Sequence, residues 1–430
     1  MFAKTNIFFG LLFVYVLLFI YFFANGYLLG DATFWIGTGL IPFVLLSSKS
    51  KKRTLRFLPA ALLLFVACFF IKAQSIRYLF LLFSIVFLIE SFKGKLNASL
   101  FWILLIISPL FRYLSEIFTF PIRLKLSSWT GIFLETAGFP VQVSGNIIQV
   151  NGSDFSVDPA CMGLQMVGFS FLAGIFLITN SERLTNRKLP FLLFVLIMMT
   201  AFALNILSNL MRILALVIFA IPPQNPMHDV VGILSLLLYV WLPLSFLISY
   251  LYRNHANEIE PKTDIPLKIQ PFVLWINIII LIACVAFMLN KTNTNVISGN
   301  TEKPLNEKYL ITNLGNGITQ FRSKEALVYS KGIPSFYSTE HSPYTCWKGS
   351  GYAFTSIKED AVSGKLIYFG TLQKGKDKLC TAWWFSNGKH ITISQLDWRW
   401  KVFRGQPGFQ LINVTASNKD QLNTAIKEWL

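Results

Sequence analysis

The sequence predicts an all-α polytopic membrane domain of about eight to nine transmembrane helices, followed by a small extracytoplasmic α+β domain. Three observations carry this reading. Hydrophobic residues fill 54% of the 430 positions and charged residues only 14%, with a mean hydropathy of +0.54, which excludes an ordinary soluble globule. The apolar residues gather in runs long enough to cross a bilayer. From residue 290 those runs stop, and stretches of alternating polar and apolar residues take over.

Runs of about 17 or more mostly apolar residues lie near 7–24, 31–48, 57–72, 78–92, 98–118, 162–179, 190–221, 229–252 and 271–289. No small-residue cleavage site closes the first run, so it is expected as a retained span, not a removed signal peptide. The second is polar in its first half and the fourth is short, which leaves tilted or re-entrant segments open beside clean crossings.

The formal net charge of +17 sits largely in short links, such as Lys49, Lys51, Lys52, Arg53 and Arg56. Such clusters mark cytoplasmic loops, and their natural partner is anionic membrane lipid. Nucleic acid is not expected, because the apolar runs leave no room for a basic domain. With the cluster inside, the amino terminus is cytoplasmic and odd-numbered spans run outward. Lys93–Lys95 and Arg183–Lys188 then fall inside as the rule asks, whereas Lys72 and Arg77 fall outside against it. It follows that 119–160 is extracytoplasmic, that Cys161 and His228 open the sixth and eighth spans at the outer surface, and that the chain ends outside.

The expected divisions are therefore 1–97 for the first helices, 98–252 for a membrane core, 253–289 for a cytoplasmic connector with the last helix, and 290–430 for the tail domain. In the tail, Lys365–Thr371 and Lys389–Ser394 alternate, and Asn387-Gly388 between them suits a tight hairpin. Cys346 and Cys380 would meet an oxidising compartment there, so a disulfide between them stands as one reading and free thiols as the other. His341 and His390 read as ordinary surface or packing residues.

Three residues carry candidate chemistry. Cys161 lies in Asp158-Pro159-Ala160-Cys161-Met162-Gly163-Leu164-Gln165, where a polar segment meets an apolar run and a Pro and a Gly bracket the thiol. A nucleophilic cysteine needs access and a positive neighbourhood, which a helix amino terminus helps to supply. The bland alternative is a small packing residue, like Cys68 and Cys284. Asn205, Ser208, Asn209 and Arg212 recur at i, i+3, i+4 and i+7 and share one helix face. A guanidinium within a span is costly unless it faces protein or water, so Arg212 is a functional candidate, with snorkelling to the interface as its alternative. It would lie about nine residues, or roughly 13 Å, below the end of its run, unless the helix breaks near Asn209.

His228 follows a proline-rich link, Pro222-Pro223-Gln224-Asn225-Pro226-Met227, and reads either as a solvated loop residue or as a base for Cys161. In that second reading it takes the thiol proton and later returns it to a leaving amine, while Arg212 steadies the oxyanion. Asp158 and Asp229 orient His228 or cap helices. Neither a metal nor another cofactor is expected, since the chain has no His-x-x-x-His, Cys-x-x-Cys or phosphate-cradling Gly-rich loop.

Cys161-Met162-Gly163-Leu164, Asn209-Leu210-Met211-Arg212-Ile213 and His228-Asp229-Val230-Val231-Gly232 together resemble the exosortase/archaeosortase family of membrane cysteine transpeptidases. The resemblance covers roughly 98–252, with Met162 standing where family members often carry Ser. It implies catalytic roles for Cys161, Arg212 and His228 with Asn209 in support, to which the shared helix face adds Asn205 and the flanking sequence Asp158 and Asp229, in a plasma-membrane enzyme facing the extracytoplasmic side. The implied substrates are exported proteins with a carboxy-terminal motif, transmembrane helix and basic end, cleaved through a thioester and passed to an acceptor. The tail around His341–Tyr352 is similar to an exopolysaccharide-associated domain carried by some exosortases, which points within the family to the exosortase N branch.

A second reading from a different class is a non-catalytic membrane factor for assembly or export of surface polysaccharide, with Trp383, Trp384, Trp398 and Trp400 offering a glycan surface or filling a core. A transporter using Arg212 as an anion site would predict repeated halves, which the sequence lacks.

Overall fold

The structure is a computed structural model that describes residues 2–47, 54–150, 152–157, 164–222, 225–258, 271–290, 308–315, 317–333, 335–338, 343, 347 and 349–430. Each apolar run is helical over most of its described residues. The helices are α1 (Phe2–Ala24), α2 (Ala32–Ser47), α3 (Leu58–Phe70), α4 (Gln74–Lys93), α5 (Ala98–Ile106), α6 (Pro109–Thr136), α7 (Leu164–Thr185), α8 (Phe191–Ile218), α9 (Met227–Leu236), α10 (Leu242–His255) and α11 (Pro271–Leu289). In hydrocarbon a helix satisfies its backbone internally, which is why such runs have little alternative.

The protein is mostly helical, with five described helical stretches long and apolar enough to cross a membrane, or six if a bent pair counts as one span. The sequence predicts eight to nine. Ala32–Leu45 and Leu58–Phe70 are apolar but shorter, and the run expected as one span over 98–118 is that bent pair, with 62° between Ala98–Ile106 and Pro109–Ser115. Pro109 explains the break, because it lacks the N–H that would continue α5. Ser108 restarts the chain: its carbonyl and hydroxyl oxygens both accept from the Phe111 N–H, at 3.1 and 3.4 Å. Helix α6 then continues through Pro121 to Thr136, so the first part of the segment expected as an extracytoplasmic approach is helical.

By compactness the chain divides into two units, Met1–Phe120 with Pro159–Thr292, and Pro121–Asp158 with Asn293–Leu430. In the first, α1, α3, α4 and α11 share one core around Tyr15, Phe22, Tyr78, Leu81 and Cys284. Helices α2, α5, α7, α8 and α10 share another around Ile103, Ile175, Ile197, Val240 and Leu244.

Between α9 and α10 the chain widens into a π-turn, Leu237–Trp241. Pro243, two residues beyond it, has no N–H and would press its ring on the carbonyl four residues back; a wider turn relieves both problems.

In the second unit, β1 (Val141–Ser144), β2 (Ile147–Val150) and β3 (Ser153–Ser156) form an antiparallel meander. Back in the first unit, β4 (Arg187–Lys188) and β5 (Asn257–Glu258) pair after α7 and α10, so the carboxy-terminal ends of those two helices meet on one face.

The tail carries an antiparallel sheet of β6 (Leu310–Gly315), β7 (Ile318–Arg322), β8 (Ala326–Ile333), β9 (Ala353–Val362), β10 (Lys365–Lys374), β11 (Asp377–Ser386), β12 (Ile391–Thr392) and β13 (Phe409–Ala416). Two helices accompany it, α12 (Gln395–Phe403) and α13 (Lys419–Trp429). The order is β6-β7-β8-β13-β11-β10-β9, with β12 paired to β11. Leu422, Ala425, Ile426 and Trp429 repeat at three- and four-residue spacing and seal α13 onto Val328, Ile412 and Val414.

Asn387-Gly388 does turn the chain, with Gly388 at φ 83°. The hairpin it closes joins β11 to a two-residue β12, and Lys389–Ser394 is not a long strand. Trp383, Trp384 and Trp398 are buried and fill the tail core, while Trp400 is 53% exposed.

Candidate functional site

The site is built from the end of α8 and the start of α9. Helix α8 runs unbroken through Asn209 to Ile218. Its stop is local: Ala220 takes a left-handed φ of 48° and the Ile221 N–H reaches back to the Leu216 carbonyl at 2.9 Å. This is the helix-ending pattern that glycine usually serves. Arg212 therefore stands six residues before the helix end, about 9 Å at 1.5 Å per residue, instead of the 13 Å expected from the apolar run.

The chain returns through Asn225, whose Oδ1 accepts from the Met227 N–H at 2.9 Å and whose carbonyl accepts from the His228 N–H at 2.9 Å. These bonds start α9 and turn His228 inward. Its side chain is buried, with 4% of the residue exposed, and Arg212 is 5% exposed.

The two side chains meet: Arg212 Nη2 lies 3.1 Å from His228 Nδ1 and donates to the His228 carbonyl at 3.5 Å. A guanidinium only donates, so Nδ1 is the acceptor, and the neutral ring keeps its proton on Nε2. Gly232, one turn after His228 on α9, makes the approach possible. A Cβ there would stand 2.9 Å from Arg212 Cζ and 3.0 Å from Nε.

The rest of the polar face is also inside. Asn205, Ser208 and Asn209 are all buried on α8, and Asn205 Nδ2 donates to Ser170 Oγ on α7 at 2.9 Å. Ser170 escaped the sequence reading, since a single Ser in an apolar run carries no periodic signal. The pair matters because α7 is the helix that follows Cys161 in the chain. Asp229 Oδ1 is 3.8 Å from His228 Nδ1, but its side chain is 87% exposed; the shorter contact to the ring comes from Arg212.

Cys161 and Asp158 lie outside the described residues, as does Cys346. Cys380 stands half-buried on β11 as a free thiol. Among the described residues no three His, Cys, Asp or Glu side chains gather as a metal site would require.

Several helices long and apolar enough to cross a membrane, with ionisable groups buried among them, mark a multi-pass membrane protein with a buried polar site. The family model for transmembrane exosortases matches residues 31–247, half of the chain, and the chain belongs to that family. Members are in general sortase-like cysteine transpeptidases. The matched stretch contains the positions of Cys161, Arg212 and His228. No curated protein and no solved structure matches the chain.

Proposed function

We propose that this protein is a thiol-dependent transpeptidase that cleaves carboxy-terminal sorting signals of exported proteins at the outer face of the plasma membrane. The observation that supports it is the buried Arg212–His228 pair, held between successive helices inside the stretch that matches the family. An intramembrane guanidinium beside an imidazole supplies charge stabilisation and proton transfer, the two services acyl transfer needs.

In the resting arrangement Arg212 occupies the lone pair of His228 Nδ1. A substrate carbonyl draws the guanidinium to its oxygen and frees Nδ1, which takes the proton from the Cys161 thiol. The thiolate attacks the carbonyl carbon, an S–C bond forms, and Arg212 holds the oxyanion. On collapse the C–N bond breaks and the imidazolium gives its proton to the leaving amine, which leaves a thioester for an acceptor nucleophile. A substrate anchored by its own transmembrane helix presents its juxtamembrane peptide at the depth of the site, so shared membrane geometry replaces part of the binding energy.

The test expresses the protein in membranes with a candidate sorting-signal substrate and compares substrate size for wild type, Cys161→Ala, Cys161→Ser and Arg212→Ala. Processing lost in both cysteine variants, at equal insertion, is the expected result. Processing that persists without Cys161 removes the mechanism.

A further inference from the structure

Three helices of the first unit leave a cavity of about 300 Å³ between their ends. Its walls are Phe8 and Leu12 from the first half of α1, Leu45 near the end of α2, Ile89 one turn from the end of α4, and Leu96 just beyond α4. Lys93, the last residue of α4, and Gly94 complete the lining. Gly94 takes a positive φ of 107°, which glycine allows. The chain turns back there, and the Leu96 N–H reaches Glu90 Oε1 at 2.9 Å.

The cavity lies where the two helical cores of this unit meet. Phe8 and Leu12 belong to the core around Tyr15 and Phe22, Leu96 belongs to the core around Ile103 and Ile175, and Ile89 packs on both. Both α1 and α4 are long and apolar enough to cross a membrane, and the start of the one meets the end of the other here. Phe8 to Leu12 and Lys93 back to Ile89 are each four residues, about 6 Å along a helix. The cavity therefore has a charged mouth at the helix ends and an apolar depth one turn further in.

The charge at the mouth is held by rings. Lys93 Nζ stands 5.0 Å from the Phe8 ring centroid and 5.6 Å from that of Phe9. Aromatic faces attract a cation but have no net charge, so the ammonium keeps its positive charge. Glu90, three residues earlier, gives its carboxylate to Arg56, whose Nε donates to Oε2 at 3.1 Å.

These features select an amphiphile. A water would need two to four polar partners, which walls of Phe, Leu and Ile do not offer. A small soluble anion would meet one ammonium and otherwise hydrocarbon. A hydrocarbon chain gains dispersion contacts along the whole depth, and a phosphate at its head reaches Lys93.

We infer that this cavity is a binding site for one anionic phospholipid: an acyl chain enters between α1, α2 and α4, and the lipid phosphate meets Lys93. The space is at the lower end of ligand-site volumes, so it takes part of one chain while the rest of the lipid stays in the bilayer. The basic links assign this end of the helices to the cytoplasmic leaflet, where anionic headgroups gather. A lipid bound there bridges the two cores and stabilises the folded chain by mass action. None of the three helices carries Arg212 or His228, so the inference stands apart from the proposed transpeptidase activity.

The experiment uses the full chain, purified in detergent and stripped of lipid. Native mass spectrometry follows the first lipid bound as dioleoyl phosphatidylglycerol or dioleoyl phosphatidylcholine is added. Wild type binds phosphatidylglycerol about fivefold more tightly than phosphatidylcholine, the scale of one basic residue at an anionic surface. Its unfolding temperature rises as that first lipid binds. Lys93→Gln loses most of the preference, and Lys93→Arg, which keeps the charge, retains it. Leu45→Trp, at a position 39% exposed, fills the cavity with a ring and weakens both lipids. Glycerol phosphate, a head without chains, does not compete at the concentrations where phosphatidylglycerol binds.

Equal binding of the two lipids by wild type overturns the inference, as does a preference that survives Lys93→Gln. Lipid binding unchanged in Leu45→Trp puts the chain outside the cavity and has the same meaning. Competition by glycerol phosphate at the lipid's own concentration makes this a site for a soluble anion and overturns the lipid reading. Where Leu45→Trp lowers the yield of folded protein, the comparison of Lys93→Gln with Lys93→Arg decides.

Discussion

Arg56 and Arg212 both stand among apolar helices of the same unit, and they are held by different chemistry. Arg56 meets the carboxylate of Glu90, a residue with no exposed surface, through Nη2 to Oε1 at 2.5 Å and Nε to Oε2 at 3.1 Å. Thr54 Oγ1 and the Leu96 N–H complete the carboxylate's shell at 2.8 and 2.9 Å. Charge is matched by charge, and every bond is local to the ends of α3, α4 and α5. Arg212 is held by a ring nitrogen and a backbone carbonyl. Those are dipoles, and they turn the guanidinium towards the ring. The first arrangement is suited to holding helix ends together; the second sets a guanidinium against an imidazole, the pairing that the oxyanion role proposed for Arg212 uses.

That contrast is open to test, and the largest effect is expected at Arg212. Arg212→Lys keeps the charge but loses the planar fork that reaches His228. Processing should fall by about 10²–10³, the usual scale for one oxyanion donor, with the amount of folded protein in membranes unchanged. A loss of folded protein in step with activity would make Arg212 structural, like Arg56.

The reverse is expected at Arg56. Arg56→Ala leaves Glu90 buried beside no guanidinium and should cost about 3 kcal/mol, the lower end for breaking a buried pair, because Arg56 is itself partly in solvent. Thermal unfolding in detergent measures the cost, and activity per folded molecule should stay at the wild-type level.

A smaller effect sharpens the geometry. Gly232→Ala places a methyl 2.9 Å from the guanidinium carbon, closer than a real contact allows, so Arg212 must shift by a few tenths of an ångström. About a tenfold fall in kcat follows, near 1.4 kcal/mol, with little change in unfolding temperature.

The smallest effect belongs to an exposed pair. Lys308 Nζ donates to Glu428 Oε1 at 2.7 Å in the tail, and this hydrogen bond holds the Glu428 carboxyl below its ordinary range. A carboxylate with a lowered folded pKa adds stability above its unfolded value and loses it as pH falls through the folded one. Tail resistance to protease should therefore weaken only in acid below the usual glutamate range. Added salt should erase most of the difference, as surface pairs are screened.

What could be read from the residues alone follows the same physics. Lipid leaves a long apolar run no option but a helix, so the helical stretches were visible in composition, and the face Asn205, Ser208, Asn209 and Arg212 was visible in its spacing. The break at Ser108-Pro109 was hidden because apolar residues continue on both sides, although Pro109 carried the signal. The alternation of Lys365–Thr371 marked β10, while Lys389–Ser394 was misleading because Ser394 caps α12 through the Asp397 N–H and ends the strand early. The reach between Arg212 and His228 and the bond from Asn205 to Ser170 depend on how helices pack. So does the bond from the Ile357 N–H to Asn146 Oδ1, which links positions remote in sequence by a backbone group that no side-chain pattern records.

The π-turn at Leu237–Trp241 carries a consequence for angular phase. A π-turn accommodates an extra residue, and one residue of helix is worth about 100° of rotation. His228 lies before the turn, and Tyr252, whose hydroxyl donates to the Ile178 carbonyl of α7 at 3.1 Å, lies after it. The directions in which the two ends of this span point are thus set by one widened turn, like two hands on a single shaft keyed a notch apart. Deleting a residue from Leu237–Trp241 would let the helix close to an ordinary pitch and carry the face of Tyr252 away from α7. The span would keep its composition and hydropathy, and yet His228 and the α7 contact could no longer be satisfied together.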